Sequence, residues 1–217
     1  MSRITDYPSL CQAIVDFSHR PSLKEYCDYF IQDGEDRLYR KILEMNEGMG
    51  LKYQETMLSG TIDGNGYLVV PSDYLALKNA QVVTSGGTYD LDGKEPQWIY
   101  GRYPMRSPQG IPAYIAREGA NFIFGPFPDN TYRVLGQYYS RAAALSASQS
   151  TTWMTDNIPF ALLAACMVSV AKFLKDQESA QAQMAELTDR LTDIVAADKA
   201  ERYAAGSLQI SADSSFP

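Results

Sequence analysis

The stretch Pro112–Arg141, PAYIAREGANFIFGPFPDNTYRVLGQYYSR, constrains the fold more tightly than any other part of the chain. Three short runs rich in aromatic and branched residues, Ala113–Arg117, Asn121–Phe124 and Thr131–Tyr139, are separated by Glu118-Gly119-Ala120 and by Gly125-Pro126-Phe127-Pro128-Asp129-Asn130. Both joins are turn chemistry, so the stretch reads as a β-meander. In the last run Tyr132, Val134, Gly136 and Tyr138 fall on one face and Arg133, Leu135, Gln137 and Tyr139 on the other. Apolar groups therefore stand on both sides, and such a sheet needs cover on both. The flanks offer it, because everything before Gly50 and after Asn157 reads as helix.

Pro8–Ser18 forms a short amphipathic helix through Leu10, Ile14, Val15 and Phe17. Pro21 breaks it, and Ser22 offers an N-cap for the second helix. From Leu23 to Met45 the positions Cys27, Ile31, Gly34, Leu38, Ile42 and Met45 step by four, three, four, four and three, which predicts one long helix with a continuous stripe. Gly34 costs that helix about 1 kcal/mol relative to Ala, a cost that a close crossing by another helix would justify. Glu35, Asp36, Arg37, Arg40 and Lys41 read as its solvated face, with Asp36–Arg40 as an i,i+4 pair. After the polar connection ending in Trp153, Asp156 or Asn157 caps an apolar helix, Ile158–Lys175, suited to the middle of a bundle. A joint at Asp176–Ser179 precedes a last helix, Glu178–Tyr203, on which Ala180, Met184, Leu187, Leu191 and Ile194 make a seam of matching period.

Between the helical flanks the sequence is turn-rich. Tyr53–Ile62 and Tyr67–Val70 flank Asp63-Gly64-Asn65-Gly66, a hairpin signal. The alternative, a calcium loop on Asp63 and Asn65, lacks the further acidic ligands and the terminal Glu. Leu75–Thr84 and Thr88–Leu91 are further strands, and Trp98–Tyr103 is read with them as part of one β region. The expected fold class is α+β: a bundle of about four helices from residues 1–50 and 156–206, an antiparallel β-rich insertion over 51–145, and an extended C-terminal arm over 207–217.

No catalytic constellation emerges. One histidine, His19, stands in a helix-breaking turn and excludes any site that needs two imidazoles. Cys11, Cys27 and Cys166 have no metal spacing and read as buried free thiols in a reducing cytosol. Asp73, Asp90, Asp92, Glu118 and Asp129, all in the β region, are candidates for a paired-carboxylate hydrolase, with turn formation as the competing role. The formal charge of −7 disfavours gripping of a phosphate backbone while remaining compatible with DNA sliding past. The N-terminus lacks the apolar core of a signal peptide, and Ile158–Leu174, interrupted by Lys172, is too short to span a bilayer, so a cytoplasmic protein without a membrane contact is expected. Fifteen tyrosines against two tryptophans fit either a surface buried against partners or a β-rich insertion.

The ordered set of Glu35-Asp36-Arg37-Leu38-Tyr39-Arg40, Val70-Pro71-Ser72-Asp73-Tyr74-Leu75, Ala116-Arg117-Glu118-Gly119, Phe124-Gly125-Pro126-Phe127-Pro128-Asp129, and Trp153 before Pro159 resembles the head-to-tail adaptor (connector) proteins of short-tailed bacteriophages. The first helix departs from the family pattern at Phe17-Ser18-His19, where an aromatic-Leu pair before Arg is usual. The resemblance implies a virion structural protein of the neck, assembled in the host cytoplasm into a dodecamer-type ring below the portal. Such a ring extends the DNA ejection channel and presents a docking surface to tail or nozzle proteins. It implies no enzyme activity, no cofactor, and DNA only as passing cargo. It also implies an arm that holds the portal, for which Leu208, Ile210, Phe216 and Pro217 are the candidate contacts. Leu208 and Ile210 alternate as in an added strand, and Phe216 offers an aromatic anchor. The rival readings are a sugar- or protein-binding β module on a helical stalk and a cell-wall hydrolase dependent on Glu118.

Overall fold

The computed structural model describes residues 3–205. Its elements run α1 (Tyr7–Ser18), a 3₁₀ turn (Pro21–Tyr26), α2 (Cys27–Met45), β1 (Glu55–Thr61), β2 (Tyr67–Val69), β3 (Tyr74–Thr84), β4 (Gly87–Asp90), β5 (Asp92–Gly93), α3 (Pro96–Arg102), β6 (Gln109–Gly110), β7 (Tyr114–Glu118), β8 (Asn121–Gly125), β9 (Phe127–Pro128), β10 (Arg133–Ser140), α4 (Trp153–Asn157), α5 (Pro159–Phe173) and α6 (Gln177–Ala205). The fold class is α+β, as the residues imply. The arm, 207–217, lies outside the described residues.

The terminal helices share one apolar cluster. Leu10 and Ile14 of α1, Phe30, Ile31, Leu38 and Ile42 of α2, Leu162 and Cys166 of α5, and Leu187 and Leu191 of α6 are all buried within it. Asp6 starts α1 by accepting from Ser9 N–H at 2.9 Å, while the Ser9 hydroxyl accepts from Asp6 N–H at 3.0 Å, a reciprocal cap. α2 and α5 cross at Gly34. A Cβ added there would lie 2.7 Å from Cys166 Sγ and 3.1 Å from Cys166 Cα, so the glycine is the contact point of the two helices. Lys175, in the left-handed region at φ 58°, turns the chain from α5 into α6, and Asp176 caps the new helix by accepting from Ser179 N–H at 3.0 Å.

The β region differs from a meander. β10 pairs with β1 and β3 in a sheet of order β1-β10-β3-β4, whereas β7 and β8 belong to a second sheet of order β2-β8-β7-β5. Leu58, Val82 and Val134 from the first sheet meet Ile115, Phe122 and Phe124 from the second in a shared core, so one face of β10 is covered by another sheet rather than by the terminal helices. The Asp63–Gly66 turn likewise joins strands of different sheets. Its Asp63 carboxylate accepts from Asn65 N–H at 2.9 Å and Tyr67 N–H at 2.8 Å, which closes a local turn without pairing β1 to β2.

Trp98–Tyr103 is not strand. Glu95 precedes a helix with Pro96 in its first turn, and Ile99 is fully buried against Ala116, Ile123 and Phe127, covering the outer face of the second sheet. Aromatic residues suggested strand, but a first-turn proline and the i,i+4 pair Ile99/Tyr103 favour helix. Gly125 makes the close approach possible, since a Cβ there would sit 2.9 Å from the Tyr103 ring. In the connection before α5, Trp153 opens a short helix, and Asn157 donates to Trp153 O at 2.9 Å instead of capping α5. The α5 N-cap position is Ile158, with no side-chain bond.

Candidate assembly surfaces

Helical bundle and sandwich meet at a polar joint. Arg202 of α6 donates to Gly50 O at 2.7 Å and to the Tyr139 hydroxyl of β10 at 3.0 Å. One turn earlier Asp198, only 4% exposed, pairs with Arg202 at 2.6 Å and accepts from Lys52 N–H at 2.9 Å. Asn46 at the end of α2 also donates to Gly50 O, at 3.0 Å. Three elements distant in sequence are thus tied at Gly50, which has to be small because a Cβ would lie 2.7 Å from the Tyr139 ring. Trp153 adds a second tie, stacked on Tyr53 and edge-on to Tyr39.

Two charged residues assigned by pattern to the solvated face of α2 turn inward. Arg37 donates to Ala165 O and to the Ser169 hydroxyl, both at 3.1 Å, and pairs with Asp33 at 2.6 Å. Glu35, 5% exposed, accepts from Leu145 N–H at 3.2 Å. Burial pushes its carboxyl up to about 7, against the pull of the Leu145 N–H and Arg141. The expected Asp36–Arg40 pair is absent: Arg40 donates to Asp36 O, and the Asp36 carboxylate pairs instead with Arg141 at 2.7 Å. The signal that placed Glu35 inside was available, since it lies four residues after Ile31 and four before Tyr39, both buried.

The remaining sequence candidates do not converge. His19 is exposed at the left-handed C-cap of α1. Asp73, Glu118 and Asp129 accept from the hydroxyls of three different tyrosines, Tyr138 at 2.9 Å, Tyr100 at 2.9 Å and Tyr132 at 2.5 Å, and Asp90 accepts from Gln81 at 2.7 Å. Asp92 is exposed in β5. All three cysteines are buried and free. Among the described residues no group of three His, Cys, Asp or Glu stands at metal-binding proximity, and no helix is long and apolar enough to cross a membrane. Leu208, Ile210, Phe216 and Pro217 lie outside the described residues.

What the surface does offer is contact area. At one end of the bundle Tyr26 and Phe30 flank Phe173 at 5.2 and 5.5 Å, with Tyr29 beside Phe30 and itself 60% exposed. Between α5 and α6 a cleft of about 560 Å³ is lined by Val168, Lys172, Ala180 and Met184. On the other flank of the same helices Phe17, Phe160, Met167 and Arg190 line a groove of about 380 Å³, with the Arg190 guanidinium over the Phe160 ring. On the sandwich, Tyr74, Lys94, Trp98, Arg117 and Phe122 line a groove of about 500 Å³. Exposed aromatics with nearby cations are the chemistry of protein interfaces rather than of a reaction centre. No curated protein matches the chain. It matches the SU10 adaptor protein family over residues 5–210, nearly its whole length, and so belongs to that family of phage head-to-tail adaptors.

Proposed function

We propose that the protein forms a ring at the head-to-tail interface, with portal on one side and tail or nozzle proteins on the other, and that DNA passes through the ring as cargo. The observation that carries this reading is the family match over residues 5–210. The surfaces support it: the Tyr26–Tyr29–Phe173 patch and the Phe17–Phe160 groove are exposed aromatic surface that side-by-side packing of copies would bury. Such lateral contacts are individually weak and become cooperative on a preformed ring of partners. A net charge of −7 keeps a channel wall from holding the DNA that slides past it. The working division is a bundle of residues 1–50 and 156–206, a β insertion of 51–145 and an arm of 207–217, with Leu208, Ile210, Phe216 and Pro217 on the portal. The protein acts in the virion neck after assembly in the host cytoplasm.

Two measurements test the reading. Particles produced without this protein should be heads without tails, and fully tailed, infectious particles in its absence overturn it. The chain truncated after Gly206 should keep its melting transition yet fail to bind isolated portal rings. Undiminished binding moves the portal contact from the arm to the helices or the sandwich.

A further inference from the structure

The first sheet ends on β1, whose seven residues pair on one side with β10 in unbroken register from Glu55↔Tyr139 to Thr61↔Arg133. Ile62 N–H donates to Tyr132 O at 2.9 Å. The two-residue alternation then directs the backbone groups of Leu58 and Gly60 at β10 and those of Met57, Ser59 and Thr61 away from it. Over Met57–Thr61 no proline, charge or bulge blunts this edge, and Met57 is 75% exposed. Proteins ordinarily protect such an edge, because it is a template for one more strand.

The end of the described chain lies at the base of the same edge. Glu201 pairs with Lys52, three residues before β1, and Arg202 bonds Tyr139, the register partner of Glu55. Only Ala205 and two residues before it separate Arg202 from the segment 206–217. Those 12 residues reach about 40 Å when extended, against about 23 Å for the length of β1. Within them Ser207-Leu208-Gln209-Ile210-Ser211-Ala212-Asp213 alternates polar and apolar residues, the pattern of a strand with one buried face. Its seven residues equal the length of β1.

We propose that residues 207–213 of the same chain add to the outer edge of β1, parallel to it, as a fifth strand of the first sheet. Attachment at the base of the edge gives the segment an effective concentration that a second copy matches only at high protein concentration. The strand deepens the adaptor reading and rests on it for one step: two of the residues proposed to hold the portal, Leu208 and Ile210, are stored on the sandwich until portal competes for them, while Phe216 and Pro217 lie beyond the strand. The free protein then carries no open edge on β1.

The test is single-residue amide exchange of the isolated full chain beside the chain truncated after Gly206. Met57, Ser59 and Thr61 amides should exchange at least tenfold more slowly in the full chain, equally at low and high protein concentration. Equal exchange in the two chains overturns the proposal. Protection that grows with concentration overturns it too, by assigning the edge to a second copy. Ile210→Asp should release the same three amides, and Ser59→Pro, which removes one outward donor while leaving the Leu58 and Gly60 bonds to β10, should release Met57 and Thr61 with the helical melting transition retained. Portal capture is read separately: a chain that captures portal through its arm but shows unprotected β1 amides keeps the portal reading and loses this one.

Discussion

Gly34→Ala tests whether the α2–α5 crossing sets the geometry of the bundle. In an open helix surface this substitution stabilises by about 1 kcal/mol, because alanine is the better helix former. At the crossing the new Cβ meets Cys166 Sγ at 2.7 Å, Cys166 N at 3.0 Å and Cys166 Cα at 3.1 Å. Two of the three obstacles are backbone, so no rotamer change clears them and α5 must move. Overpacking of this kind costs about 1–3 kcal/mol, and the shift also loosens contacts of Leu38 and Leu162 nearby in the core. The net expectation is a loss of up to about 2 kcal/mol after the propensity gain. For a chain of this length each kcal/mol moves the midpoint by about 2–4 °C, so Tm should fall by up to roughly 8 °C in thermal melts followed by circular dichroism. Cys166→Ala removes the Sγ obstacle and leaves the backbone pair, so the double variant should recover part of the loss, a coupling of about 0.5–1 kcal/mol. A Tm that rises on Gly34→Ala alone refutes the close crossing.

Glu35 makes stability fall as pH rises: its folded carboxyl is pushed up to about 7 against an ordinary 4.5, so the native state holds an extra proton between those values, and stability complete below pH 4.5 should decline by on the order of 3 kcal/mol by pH 8. Urea midpoints from pH 5 to pH 8 measure the decline, and Glu35→Gln should flatten it while keeping an acceptor for Leu145 N–H. Arg202→Ala should cost about 3 kcal/mol, because it leaves the buried Asp198 without its cation and frees Gly50 O and Tyr139; an unchanged urea midpoint excludes the joint as a structural tie. Leu191→Asp, which places a charge at a fully buried position of α6, should cost several kcal/mol, read in the same melts.

The helices were legible because a helical stripe is a local signal. Ile31, Leu38 and Ile42 repeat at the period of their own backbone, and the structure buries them where that period places them. Gly34 was legible for the same reason, as an interruption of the stripe whose cost a crossing helix would justify. Strand partners were not legible, because pairing is decided by residues far apart in the chain. Asp63-Gly64-Asn65-Gly66 has hairpin composition, yet β1 pairs with β10 and β2 with β8. Local turn chemistry settles that the chain reverses there; it does not settle which edge receives each strand. The burial of Glu35 and Arg37 was not legible because their charge points to solvent while their positions lie beside the stripe, and the partners that make their burial tolerable, Leu145 N–H and Ser169, come from more than a hundred residues away.

Two compositional excesses, acidity and tyrosine, meet at four places among the described residues. Seven surplus negative charges leave more carboxylates than cations to pair with, and the phenols take up part of the remainder. Tyr7 donates to Asp28, Tyr100 to Glu118, Tyr132 to Asp129 and Tyr138 to Asp73. The acceptor is the larger cause that keeps Tyr7 and Tyr132 neutral, burial the larger cause for Tyr100 and Tyr138, and Tyr138 is pushed up to about 12. A phenol bonds a carboxylate without neutralising it, so the surface stays acidic while its loops are fixed. A lysine in the same place would also have fixed the carboxylate, but would have cancelled its charge. Three of the five carboxylates that suggest a dispersed hydrolase pair in the sequence, Asp73, Glu118 and Asp129, are therefore anchors held by tyrosine hydroxyls. Exposed aromatic surface elsewhere, on Phe17, Tyr26, Tyr29, Phe160 and Phe173, has the composition of a protein-contact surface.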